Sequence, residues 1–196
     1  MKSPYDHKPE ETWKSITKNI VAKHPLSLEA IRQIVLESWE DITKSSIGSY
    51  KIGVDIFPQP QILGFFLHEL IPLKLATRFP GQWHKDKTKN DKDAVFIKDS
   101  QFSIEIKTSS HPTKVFGNRS YGKKAKNNVE KTKTKSGYYL LINFKKITDN
   151  NRIGCITKIR FGWIDEDDWT SQSAETGQQA SLSAAVYEKK MIEVQL

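Results

Sequence analysis

Hydrophobic positions along the chain change period partway through. From Leu26 to about Lys44 they fall at Leu28, Ile31, Ile34, Val35, Trp39 and Ile42, a spacing that predicts a helix with one buried stripe. Pro25 and Ser27 precede it, the serine in a capping place. A second apolar stretch, Ile62 to Ala76, follows Pro58 and Pro60 and reads as a buried helix that Pro72 kinks or ends. His68 and Glu69 stand out there, because a carboxylate among Phe65, Phe66, Leu67, Leu70 and Ile71 is costly without a partner. Beyond it the period shortens to two. Ala94 to Lys98 and Phe102 to Thr108 read as two strands of a hairpin joined across Asp99-Ser100. Tyr138 to Phe144 is almost continuously apolar, which suits a central strand, and Arg152 to Trp163 alternates in part as a fourth. A short helix fits Tyr121 to Lys131, and Tyr187 with Met191 suggests a packed last helix in a polar tail.

Composition narrows the class. The chain has 196 residues, 37% hydrophobic and 28% charged, a globular balance large enough for its own core. Cys155 is the single cysteine, so no internal disulfide forms; its place within a strand predicts a core position. No window approaches the roughly 18 apolar residues of a membrane span, and no apolar run follows the charged N-terminus as in a signal peptide. The expected location is the cytoplasm.

Charge changes the picture more than composition does. The net charge is +8. From Lys107 to Lys135 nine basic residues face one acid, Glu130, so this segment alone carries the whole excess. A concentrated basic segment beside uncharged donors suits a polyphosphate backbone, although a solvated lysine-rich loop has the same composition.

Just ahead of it lies the candidate chemistry. In the strand Phe102 to Thr108, Phe102, Ile104 and Ile106 share one face, and Ser103, Glu105 and Lys107 the other. Asp93 precedes them across the hairpin, with Asp91 as its nearby substitute. Two carboxylates and a lysine converging beside a basic groove make a site for phosphodiester hydrolysis. The carboxylates would hold a hard cation such as Mg²⁺, and the lysine would orient a water. Register decides whether Asp93 joins them. Pairing Lys98 with Phe102 puts Asp93 opposite Lys107, on the catalytic face; pairing Lys98 with Gln101 puts it opposite Ile106, on the core face. A Glu-x-Lys alone is common on exposed strands; the preceding acid and the basic segment set this one apart.

The series Asp93…Glu105-Ile106-Lys107 resembles the active site of the PD-(D/E)xK nuclease superfamily. The stretch from Thr108 to Tyr121, Lys135 to Phe144, Arg160 to Asp165, Asp168-Trp169 and Gly177 to Ala180 resemble type II restriction endonucleases, most closely the ScaI-like group. The departure is that Lys92, not proline, precedes Asp93, which leaves Asp91 against Asp93 open. The resemblance implies an α/β (α+β) fold with a mixed central β-sheet flanked by helices. It also implies Mg²⁺-dependent cleavage of double-stranded DNA at a specific palindrome leaving 5′-phosphate ends, and a homodimer working beside a cognate DNA methyltransferase. By position Asp93, Glu105 and Ile106 would be the metal-binding residues and Lys107 the water-orienting one. Glu69 resembles the extra helix acid of some members, a structural ion pair being the other reading.

Ser109, Ser110, His111, Asn118, Arg119, Ser120, Tyr121, Lys123 and Lys124 follow Lys107 and are the candidate DNA-binding residues, Asn118 and Arg119 foremost for base edges. The expected organisation is one domain over 1–196: a mainly helical part at 1–80, the catalytic sheet and DNA-binding loop at 91–163, and a helical polar tail at 164–196. A structure-selective repair or recombination nuclease of the same superfamily, or a non-catalytic basic nucleic-acid-binding module, are the alternatives.

Overall fold

The structure is a computed structural model that describes residues 2–118, 134–172 and 179–196. Three helices form the N-terminal part: α1 (Trp13–Ala22), α2 (Leu28–Lys44) and α3 (Pro60–Arg78), with a short hairpin, β1 (Ser46–Ile47) and β2 (Tyr50–Lys51), between the last two. Ser27 caps α2 as its sequence predicts, its hydroxyl accepting from the Ala30 N–H at 3.1 Å. α3 runs through Pro72 without ending there; the proline only removes one donor to a preceding carbonyl. No described helix is long and apolar enough to cross a membrane.

Strands β3 (Trp83–Lys85), β4 (Ala94–Phe96), β5 (Ile104–Ser109), β7 (Gly137–Lys145), β8 (Cys155–Ile164) and β11 (Met191–Val194) build a six-stranded sheet ordered β11-β8-β7-β5-β4-β3. β5 and β7 are parallel and the other neighbours antiparallel, so the central sheet is mixed. β7 lies inside the sheet and is buried on both faces, as its unbroken apolar run requires. Tyr138, Leu140, Ile142 and Phe144 pack with the buried residues of α1, α2 and α3, while Tyr139 and Leu141 pack against a second layer. That layer is a three-stranded antiparallel sheet, β6 (Phe116–Asn118), β10 (Gln179–Leu182) and β9 (Trp169–Ser171), in that order.

Four expectations are corrected. The tail is only partly helical among its described residues: strands β9, β10 and β11 alternate with a 3₁₀ turn at Glu166–Asp168 and a π-helical turn at Val186–Lys190 that takes Tyr187. These strands are short, and β10 pairs with a distant partner, β6, so the local pattern carried no sign of them. Cys155 is exposed, because it begins β8 at the sheet's rim. The tight hairpin turn is replaced by a 3₁₀ turn at Ser100–Phe102, capped by Asp99, whose carboxylate accepts from the Gln101 N–H at 3.0 Å. Ser103, expected on the catalytic face, is buried and its hydroxyl accepts from the Phe96 N–H. The helix expected near Tyr121 to Lys131 lies outside the described residues.

Candidate active site

β4 and β5 decide the geometry. Ala94 pairs with Ile104, a register that neither expected turn produces but that keeps Asp93 on the side of Glu105 and Lys107. The longer 3₁₀ connection shifts the pairing by two residues and so preserves the face. The Asp93 carboxylate then accepts from the Ile106 main-chain N–H at 2.6 Å through Oδ2. Within β5, Lys107 Nζ donates to Glu105 Oε1 at 2.6 Å. Glu105 is buried and Lys107 nearly so, which strengthens the pairing relative to a surface ion pair. Asp93, Glu105, Ile106 and Lys107 therefore form one cluster. Asp91 does not join it: its carboxylate accepts from the Lys87 and Thr88 N–H groups and closes a surface turn.

α3 lies against this cluster. Gly64 makes the approach possible, since a Cβ there would sit 2.6 Å from Thr108 Oγ1 on β5. One turn later His68 Nδ1 lies 3.6 Å from Asp93 Oδ2. Burial pushes the Asp93 carboxyl up, but the His68 imidazole, the Lys107 ammonium and the Ile106 N–H outweigh it and hold the group at about 2. Glu69, one position on, points elsewhere and pairs with Lys85 Nζ of β3. Of its two readings, the ion pair is the one the geometry displays. Lys92, between the two aspartates, is buried with its Nζ 5.3 Å from the Tyr139 ring centroid and 3.3 Å from the Thr134 carbonyl it donates to. Gly137 accommodates the lysine stem: its φ of +146° disfavours any side chain, and a Cβ would lie 2.7 Å from Lys92 Cε.

Among the described residues no group of three or more His, Cys, Asp or Glu side chains could hold a metal ion. Mg²⁺ does not need one, because it keeps several waters and binds through one or two carboxylates plus substrate phosphates. Asp93, just before β4, and Glu105 on β5 are hard oxygen donors, and their chemistry fits that cation.

The DNA-binding candidates divide. Ser109, Ser110 and His111 form the turn leaving β5: Ser109 Oγ accepts from the His111 N–H, and His111 Nδ1 accepts from Thr113 N–H at 3.1 Å and Lys114 N–H at 3.0 Å. His111 thus organises the turn with one ring nitrogen. Asn118 is exposed at the end of β6, paired with Gln179. Arg119, Ser120, Tyr121, Lys123 and Lys124 lie outside the described residues. Sequence reasoning missed what anchors this turn. Asn143 of β7 donates to the His111 and Lys114 carbonyls at 2.7 and 3.0 Å, and Arg160 of β8 donates to Asn143 Oδ1 at 3.1 Å. A polar Asn143 inside an otherwise apolar strand was the available signal.

Comparison with known proteins fits this arrangement. The family model of the ScaI restriction endonuclease matches residues 3–195. The type II restriction enzyme ScaI of Streptomyces caespitosus is 43% identical over 194 residues, covering 98% of this chain and 84% of that protein. The chain belongs to the ScaI restriction endonuclease family. The crystal structure of the restriction endonuclease BglI bound to its DNA recognition sequence aligns with 95% of this chain and 89% of that one, at a TM-score of 0.44 and 8% sequence identity.

Proposed function

We propose that this chain is a Mg²⁺-dependent type II restriction endonuclease. It hydrolyses phosphodiester bonds of double-stranded DNA at a specific palindromic sequence and leaves 5′-phosphate and 3′-hydroxyl ends. The observation that carries the reading is the bond from the Ile106 N–H to Asp93, which joins the acid before β4 to the Glu105-Ile-Lys107 motif. Asp93 and Glu105 are the metal-binding carboxylates, with Ile106 between them. Mg²⁺ bound there would polarise the scissile phosphate and lower the pKa of a bound water. Asp93 arrives ionised, since its neighbours hold its carboxyl at about 2. Lys107 Nζ, within 2.6 Å of Glu105, is the donor that orients the attacking water toward phosphorus. The water oxygen bonds to phosphorus and its released proton passes to solvent as the bond to the 3′ oxygen breaks, and that oxygen takes a proton from solvent and leaves as the 3′-hydroxyl.

Ser109, Ser110, His111, Asn118, Arg119, Ser120, Tyr121, Lys123 and Lys124 contact DNA, the lysines at phosphates and Asn118 and Arg119 at base edges. Two copies act as a homodimer whose two-fold axis matches that of the site, in the cytoplasm beside a cognate methyltransferase. The test is digestion of unmethylated phage-sized DNA with Mg²⁺ and with EDTA. Discrete metal-dependent bands are expected. A metal-dependent smear would remove sequence specificity, and intact DNA in both lanes would sink the endonuclease reading in favour of a structure-selective nuclease or a binding module.

A further inference from the structure

The helix packed on the catalytic strand presents two polar side chains in an apolar stretch, His68 and Glu69, and they part company. Adjacent residues on a helix point about 100° apart, so only one of them can face a given neighbour. The buried stripe Leu63, Leu67, Ile71 and Leu75 fixes how α3 is rotated on the sheet. Gly64 fixes how close it comes, since its missing Cβ leaves room for Thr108. Together these place His68, one turn after Gly64, with Nδ1 3.6 Å from Asp93 Oδ2. The same rotation turns Glu69 to Lys85.

We propose that His68 is a positioning residue for Asp93: it holds the carboxylate in the orientation in which it receives the metal ion. At 3.6 Å the two groups are in contact just beyond hydrogen-bond length, with the ring nitrogen turned toward an oxygen that can only accept. Asp93 Oδ2 is bonded by the Ile106 N–H from β5 and flanked by the His68 ring from α3, two directions that restrict rotation of the carboxylate. Donors of this kind tune metal ligands from behind, and losing one typically costs 10–100-fold in affinity. The inference rests on the reading of Asp93 as a metal ligand, and it assigns to His68 the helix position first sought at Glu69.

The experiment measures Mn²⁺ binding by calorimetry on the intact protein without DNA, where no bond can be cleaved during the titration, alongside the Mg²⁺ dependence of single-turnover cleavage. His68→Ala is expected to weaken Mn²⁺ binding by about ten-fold and to raise the Mg²⁺ needed for half-maximal cleavage equally, with the rate at saturating metal changed less. His68→Asn, which keeps a donor, should recover most of the affinity; its thermal midpoint, read with that of His68→Ala, separates positioning from folding. Asp93→Ala is the reference. If it leaves Mn²⁺ binding intact, the assignment of Asp93 itself fails. If Asp93→Ala abolishes binding and a folded His68→Ala binds Mn²⁺ like the parent, the role given to His68 fails. Loss of affinity in Glu69→Gln with none in His68→Ala would overturn the proposal too and return the position to Glu69.

Discussion

The Ile106 main-chain N–H donates to Asp93 Oδ2 at 2.6 Å, and that bond joins two strands into one site. Because the donor is backbone, no side-chain substitution at Ile106 removes it. The carboxylate is held by the strand, while Lys107, the next residue, projects from the same strand to Glu105.

Lys107→Ala should therefore lower single-turnover cleavage by about 10²-fold or more, the loss expected when the attacking water is misplaced. Binding of a duplex in EDTA, followed by gel shift, should stay nearly unchanged. A parallel loss of binding would show that Lys107 holds DNA instead of handling the water.

How far this was legible in the sequence differs from residue to residue. Glu105 and Lys107 were placed on one face by strand alternation, which needs no partner strand. Asp93 was not fixed, because its face depended on a turn whose 3₁₀ form at Ser100–Phe102 gives a third register. His68 and Glu69 both stand out in the sequence, but their spacing from each other cannot say how the helix is rotated on the sheet. Gly64 against Thr108 settles that in the fold. The strands of the tail stayed hidden because β10 is defined by partners, Ser171 and Phe116 among them, and not by a period of its own. The buried polar link from Arg160 through Asn143 to the His111 turn joins three separate stretches of chain.

Gly64→Ala should push α3 off β5. The new Cβ would lie 2.6 Å from Thr108 Oγ1, closer than side chains tolerate, so one of the two must move. The expected cost is about 1–3 kcal/mol, with a loss of cleavage as His68 withdraws from Asp93. Adding Thr108→Ala should return part of both, which urea midpoints in a double-mutant cycle will read. Strictly additive effects would mean that the two residues do not meet.

Lys190 ties the end of the chain to its start. Its Nζ donates to Asp165 Oδ2 at 2.9 Å and to both Asp168 oxygens at 2.8 Å, beneath the rings of Tyr5 and Trp13 at 4.4 Å. Burial pushes the Asp168 carboxyl up and Lys190 opposes it, so removing the lysine leaves two partly buried acids without their cation. Lys190→Met is expected to cost about 3–5 kcal/mol in chemical denaturation. Asp168→Asn in that background should restore part of it; a double variant no more stable than Lys190→Met would show that the acids gain nothing from the lysine.

His24 makes the fold sensitive to acid. The ring is enclosed by Phe102, Tyr138, Phe161 and Trp83. Its Nδ1 accepts from the Leu26 N–H at 3.2 Å, so the proton lies on Nε2 and is donated to the Phe102 carbonyl at 3.0 Å, just ahead of β5. Burial, only partly opposed by the bond to the Phe102 carbonyl, lowers its pKa from 6.5 to about 4. Above pH 6.5 the folded and unfolded chains both carry the neutral ring. Between 6.5 and 4 only the unfolded chain takes up the proton, so stability falls with pH across that window and no further below it. The drop amounts to about 3 kcal/mol at most. Urea unfolding at steps from pH 7 to 4 should show this slope in the parent and a flatter one in His24→Leu, whatever the variant's absolute stability. Equal slopes would mean that the ring titrates normally in the fold and that its aromatic cage admits the charged form.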